Sequence, residues 1–370
     1  LKNVFLFSLK YAPGLYKEFS LLNSLFSKSG CDVSNMISQG YDRHLTRDDK
    51  SIFASHGIGT KGMIFDLLLF PKVLYRTFKN IKNKKGENIF LFYNPHPVNF
   101  IVQAMLKLLP NATVVTVLHE PYKTVEDRLA YGLKGFLFFS IVNVFQYLSL
   151  ILSDKIITMS PYGRDLFLNH FGKYENRLIS ANLLMSKNTK VINLSSQRKY
   201  FSYVGRVNKG KGIDDFIKSV NYCIEQKISG IYFLIITSSN IDEYLSMLNS
   251  GWEDNLTVIN KPVITDDEID EVISTSKGVL ILHQTASQSG VLPLCCKYGT
   301  PVIARNIKAF SQFFDNNGVM LDEFFKPSQL VESCKLVEQS FDIFSQNSLQ
   351  VFKNNFSEDN FEKFYRELLK

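Results

Sequence analysis

The stretch YFSYVGRVNKGKGIDDFIKSV, residues 200–220, reads as an apolar strand, a glycine-rich loop and an amphipathic helix. Strand, loop and helix in that order form the repeating unit of a parallel sheet, whose ligands bind beyond the carboxyl ends of the strands. Gly205 lets the backbone approach a ligand closely. Arg206 and Lys211 stand five residues apart at the strand's end, and two fixed cations there match a diphosphate. A surface turn with solvated cations is the plainer alternative.

The same alternation runs through the chain in both directions. NVFLFSL (3–9), NIFLFYN (88–94), ATVVTVLHE (112–120) and KIITMS (155–160) precede the opening stretch, and GIYFLIITS (230–238), LTVINK (256–261), GVLILHQ (278–284) and PVIAR (301–305) follow it, with helical patterns between. Strands alternating with helices imply α/β domains with parallel sheets covered on both faces. A length of 370 residues exceeds what one core usually organises. Two domains are therefore expected, 1–186 and 187–355, joined near the polar passage 186–199. Residues 356–370 are expected to form a helix, with Phe361, Phe364 and Leu368 on one side, that packs back across the boundary.

Composition is that of a globular protein, with 45% hydrophobic and 21% charged residues. Five scattered cysteines with no CxxC or Cys/His cluster point to a reduced, cytosolic chain without zinc. The first residues hold too short an apolar run for a signal peptide. The net charge of +7 is uneven: residues 1–190 carry 24 Lys and Arg against 13 Asp and Glu, and the remainder 18 against 22. A basic front half fits an anionic partner. Nucleic acid is not expected, because no aromatic-basic motif or recognisable module accompanies the charge.

Residues 135–152, GFLFFSIVNVFQYLSLIL, contain no charge, which meets the lower length limit of a membrane span. Asn143, Gln146 and two serines interrupt it, and a span would break the α/β alternation. A buried or interfacial helix is expected, and with Lys79, Lys82, Lys84 and Lys85 it fits peripheral docking on a membrane.

Several further motifs are candidates. TASQSGVLPLCCKYGTPVIARN (285–306) reads as a Ser/Gly turn, a short helix and a strand. Amides of Ser289, Gly290 and Val291 at the helix start could hold a phosphate; Ser289 as a simple cap is the alternative. VVTVLHEPY (114–122) sets His119 and Glu120 at a strand end, and NPHPV does the same for His96. HGIGTKG (56–62) matches GxGxxG formally, but SIFAS before it is a weak strand and no acid follows at the right distance. Asp48-Asp49, Asp214-Asp215 and Asp266-Asp267 fall where helix capping accounts for them, and no DxD is present, so no metal is expected.

Taken together, GRVNKGKG, LTVINKPVITDDEIDEVISTS and GVLILHQTASQSGVLPLCCKYGTPVIA resemble the donor half of the retaining GT-B glycosyltransferases of family 4. SLKYAPGLYKEFSLLNSLF, VLHEP and LSDKIITMSPYGRDLFLNHFG resemble their acceptor-side half. The resemblance implies two Rossmann-like doubly wound domains facing a central cleft. It implies a nucleotide sugar held by Gly205, Arg206, Lys211, Gln288, Ser289, Gly290 and Val291, with Tyr11, Ala12, Pro13 and Gly14 in the acceptor-side loop. His119, Arg206 and Lys211 take catalytic roles, with no cofactor or metal. The family's two E-x7-E glutamates fall at Ala286 and Leu294 and are absent. An S/T-Q-S-G turn resembles a variant among polysaccharide-assembly members. It implies a lipid-linked or oligosaccharide acceptor at an anionic membrane surface, on the inner face of the cytoplasmic membrane.

Overall fold

The computed structural model describes residues 2–12, 15–44, 51–56, 59–81, 84–93, 96–120, 125–129, 132–187 and 198–370. The chain divides into two compact units, Leu1–Leu184 with Phe361–Lys370, and Met185–Asn360. The first unit holds the strands β1 (Lys2–Ser8), β2 (Asp32–Ser38), β3 (Ser51–Ser55), β4 (Glu87–Tyr93), β5 (Ala112–Leu118), β6 (Lys155–Thr158) and β7 (Leu178–Ser180). The second holds β8 (Tyr200–Val204), β9 (Tyr232–Thr237), β10 (Leu256–Asn260), β11 (Ser276–Ile281), β12 (Val302–Arg305) and β13 (Gly318–Leu321). Among the described residues the sheet orders are β3-β2-β1-β4-β5-β6-β7 and β10-β9-β8-β11-β12-β13, and every pairing in them is parallel.

Each order reverses direction once, between β1 and β4 in the first unit and between β8 and β11 in the second. At such a switch point the loops leaving two neighbouring strands turn to opposite faces and open a crevice. The strands themselves are apolar on both faces, as helix-covered parallel strands must be. In β1, Val4 and Leu6 join one core while Phe5 and Phe7 join the other. Phe5 stacks on Phe90 at 5.0 Å and Phe7 on Phe92 at 4.4 Å, which ties β1 to β4 beneath the switch point.

The two units divide at Leu184/Met185 and Asn360/Phe361, where 186/187 and 355/356 were expected. Residues 356–360 stay with the second unit, because the Met185 N–H donates to the Phe356 carbonyl at 2.7 Å and the Glu358 N–H to the Met185 carbonyl at 3.0 Å. The helix Phe361–Leu369 belongs to the first unit. There Phe26 meets Phe361 and Tyr365 edge-on at 4.9 and 5.6 Å.

SIFAS is a full strand, β3, paired with β2. Gly57 of the GxGxxG match, Lys82, the Asp48-Asp49 pair and most of the expected linker lie outside the described residues. The uncharged stretch lies in the helix Gly132–Leu152. It is not a core helix: Leu133, Leu137, Ile141, Val144 and Ile151 are all exposed, at the three- and four-residue spacing of one helical face.

Candidate functional site

In the second unit the loop after β8 is built as a rigid shelf. The Tyr203 hydroxyl reaches back under it to the Lys211 carbonyl at 3.2 Å. The Val207 N–H donates to Ser239 Oγ at 3.1 Å, and Asn208 Oδ1 accepts the Lys211 N–H at 3.0 Å. Gly205 and Gly212 both adopt positive φ, +112° and +77°. The loop is also fastened to the neighbouring strand. The Gln284 N–H, just past β11, donates to the Gly210 carbonyl at 2.9 Å. Gly212 rests directly on the Leu282 carbonyl, where a Cβ would stand 2.2 Å from the oxygen. Arg305 completes the brace: its Nε donates to that same carbonyl at 3.2 Å and its Nη2 pairs with Asp215 at the start of the helix Ile213–Glu225.

The shelf brings Lys211 and the end of β11 together. Lys211 is half-buried and Arg206 is exposed. Buried His283, which follows β11, registers the Lys211 charge: burial first, and the neighbouring ammonium second, push its imidazole down to about 3. Its ring packs against Phe310 at 5.4 Å. His283 went unnoticed in the sequence although it occupies a strand end as His119 does. The signal was there, masked by the Ser/Gly turn that follows it.

That turn departs from expectation in one donor. Ser289 Oγ accepts the Val291 N–H at 3.2 Å, so this amide is engaged within the turn and the Ser289 and Gly290 amides remain as its donors. The helix behind, Val291–Lys297, has seven residues and no side-chain cap. Its end therefore adds little field. Gln288 and Ser289 are half-buried and Gly290 is exposed. Ala286 and Leu294 are both half-buried.

In the first unit the loop after β1 is clamped by Tyr41. Its hydroxyl accepts the Ala12 N–H and donates to the Ala12 carbonyl, both at 3.1 Å, and lies 3.0 Å from Ser8 Oγ. The Tyr11 ring meets Tyr41 edge-on at 5.0 Å. Pro13 and Gly14 lie outside the described residues. His119, beyond β5, is half-buried, and its Nε2 stands 3.5 Å from Glu18 Oε2. Burial pushes His119 down to about 4, against a smaller upward pull from Glu120, and pushes Glu18 up to about 8. His96 joins a separate group. Its Nε2 lies 3.3 Å from Asp66 Oδ2, whose partner oxygen takes the His56 N–H at 2.8 Å. Among the described residues no three His, Cys, Asp or Glu side chains group as a metal site.

These shifts give a pH signature in stability. An imidazole lowered by folding contributes stability that is present above its unfolded value near 6.5 and lost as pH falls through its folded one. For His119 this loss is opposed between about pH 6.5 and 4.5, because raised Glu18 binds its proton more readily in the folded chain. Among the described residues no raised acid opposes His283. His283→Asn is therefore expected to flatten the fall in unfolding free energy, measured by urea titration, over that window, by up to about 1.4 kcal/mol per pH unit. An unchanged slope would show His283 already charged in the folded state.

The sequence matches no protein-family model and no curated protein. Solved structures do resemble the fold. The chain is similar to a sucrose-phosphate synthase from Thermosynechococcus elongatus, with TM-score 0.72 over 100% of this chain and 99% of that one at 13% identity. It is similar to WaaG, described as a glycosyltransferase involved in lipopolysaccharide biosynthesis, with TM-score 0.64 over 99% and 98% at 13% identity. A third likeness is to the pneumococcal O-GlcNAc transferase GtfA in complex with UDP and GlcNAc, with TM-score 0.66 over 100% and 98% at 12% identity. The two parallel-sheet, Rossmann-like units are thus those of the GT-B fold.

Proposed function

We propose that the chain is a hexosyltransferase. It moves a sugar from a nucleotide diphosphate sugar to a lipid-linked or oligosaccharide acceptor in bacterial surface polysaccharide assembly, such as O-antigen, capsule or lipopolysaccharide. The observation that carries the reading is the cationic glycine loop 205–212 locked onto the loop after β11 at the sheet's switch point. The named activities of WaaG and of the pneumococcal transferase, on the same fold, support it.

In this reading Lys211, Arg206 and the Ser289 and Gly290 amides hold the diphosphate. As the bond from the anomeric carbon to the diphosphate oxygen breaks, negative charge grows on that oxygen, and these fixed positive groups stabilise it most at that moment. The acceptor oxygen bonds to the anomeric carbon on the face being vacated and its proton passes to the departing phosphate, which retains the configuration without a metal. His119 positions the donor sugar or the reacting hydroxyl, and the loop Tyr11–Leu15 lines the acceptor side.

A panel of UDP and GDP sugars, read by released nucleoside diphosphate, tests this. Release with one donor and an acceptor supports it. Nucleotide binding without release from any donor would favour a second reading, a catalytically silent GT-B module, for which the absence of carboxylates at Ala286 and Leu294 speaks.

The acceptor's lipid places the enzyme at the inner face of the cytoplasmic membrane. The exposed apolar stripe of the helix Gly132–Leu152 supports this, flanked by Lys173, whose Nζ lies 3.3 Å from the Tyr147 hydroxyl. Lys79 and Lys85 are exposed, while Lys84 is taken up by Asp32. Sedimentation with anionic vesicles is expected to fall several-fold in Leu137→Glu/Ile141→Glu, and to weaken in high salt as lipid charge is screened. Equal sedimentation of parent and variant would remove the stripe from the interface.

A further inference from the structure

Glu18 lies on the helix Tyr16–Lys28 but turns inward, 5% exposed. Neither of its carboxyl oxygens has a hydrogen-bond partner among the described residues. His119 Nε2 faces one of them at 3.5 Å. Among the described residues, Tyr93 at the end of β4, Tyr365 on the helix Phe361–Leu369 and Tyr41 also feel the Glu18 charge. On the far side His119 feels Glu120, the next residue in the chain.

A carboxylate facing an imidazole in such a place has two arrangements. An ion pair would sink two charges among buried tyrosines, each charge costing several kcal/mol in lost hydration. A neutral pair needs one proton between the two groups, and it also removes the penalty, about 1–3 kcal/mol, of a buried carboxyl left without a partner. We propose that Glu18 is the positioning residue of His119: its protonated carboxyl donates to Nε2, which fixes the imidazole as the neutral tautomer with its hydrogen on Nδ1. Burial pushes both groups in the direction this needs, the acid up to about 8 and the imidazole down to about 4.

A histidine held in this way carries its hydrogen at Nδ1 and has no lone pair there to act as a base. Raising the pH reverses it. When Glu18 loses its proton to solvent, the carboxylate becomes an acceptor, and the imidazole hydrogen moves from Nδ1 to Nε2 to meet it. The tautomer is independent of what the protein catalyses; the use of the Nδ1–H to hold a sugar or hydroxyl rests on the glycosyltransferase reading.

The experiment is nitrogen-15 NMR of the full chain with labelled histidine, the His119 signals being assigned by their loss in His119→Gln. Near neutral pH the parent is expected to show the Nδ1–H tautomer, and above about pH 9 the Nε2–H tautomer. Glu18→Gln should hold Nδ1–H at both, since its amide donates to Nε2 and does not titrate. Glu18→Leu should show no tautomer switch. In any activity that the donor panel finds, the parent's kcat should fall about tenfold per pH unit above about pH 8, and this limb should be absent in Glu18→Gln. A doubly protonated His119, or Nε2–H in the parent near neutral pH, overturns the proposal whether or not turnover is found.

Discussion

Lys211→Ala is expected to lower nucleoside diphosphate release about 100-fold or more, the effect of losing one fixed donor worth about 2–4 kcal/mol to a developing oxyanion. Lys211 is half-buried on a loop whose backbone is fastened at Tyr203, Asn208 and Gln284. Its charge is thus already in place when the leaving group forms, and no reorganisation offsets the gain. Arg206→Ala should cost less than Lys211→Ala, because the Arg206 side chain is exposed and water screens it in the free protein. Both losses should still exceed the effect of Lys209→Ala, which removes the same charge from an exposed position two residues away. A readout without turnover accompanies them. Lys211 lowers the His283 pKa through space, so Lys211→Ala should raise the His283 titration midpoint while Lys209→Ala leaves it. A change under threefold in release for both Lys211→Ala and Arg206→Ala would remove this mechanism.

The sheets were legible in the sequence because fully covered parallel strands leave an unbroken apolar run. NIFLFYN and ATVVTVLHE differ from β4 and β5 only at their ends. The strands that escaped notice break that rule for physical reasons. DVSNMIS, β2, mixes polar residues into its run: Asn35 and Ser38 are buried but hydrogen-bonded, to Asn23 and to the His56 carbonyl. The strand β7 has three residues, too short for a period to show, and β13, at a sheet edge, buries only Leu321. SIFAS, read as a weak strand, stands at the edge of the described sheet beside β2, where less apolar length is needed.

The site was legible where one segment carried it and obscure where several did. Gly205, Arg206 and Lys211 lie in one loop whose glycines announce it. The pairing of Glu18 with His119 joins residues a hundred positions apart, and neither charge pattern nor spacing links them. His283 falls between these cases, visible as a strand-end histidine but meaningful only once Lys211 is seen beside it. The Val291 amide is engaged within its own turn for a local reason. A serine two residues before an amide can take that amide for itself, and sequence cannot say whether it bonds inward or leaves the donor to a ligand.

Gly212→Ala tests whether the shelf itself, and not merely its charge, matters. Two costs fall on the substitution. Gly212 has φ +77°, a left-handed conformation that an L-residue adopts at about 1–2 kcal/mol. The added methyl would also stand 2.2 Å from the Leu282 oxygen and 2.8 Å from its carbonyl carbon. No rotamer relieves a clash with backbone, and this carbonyl is held in turn by Arg305 Nε. The loop and the end of β11 must therefore move apart, which strains the bond between Gln284 and Gly210 and displaces Lys211. We expect a loss of about 2–4 kcal/mol in urea unfolding and at least about tenfold in release, since a displacement on the order of 1 Å degrades a positioned group. Gly251→Ala supplies the control. It has φ +84° with nothing within 4 Å of the added Cβ, so it bears the left-handed cost without the collision and lies outside both loops. If Gly212→Ala and Gly251→Ala lose equal stability and Gly212→Ala keeps full release, the packing of the two loops does not set the position of Lys211. If only Gly212→Ala loses release, and Lys211→Ala adds little on top of it, the two changes act on one device, because effects that act through a shared group are not additive.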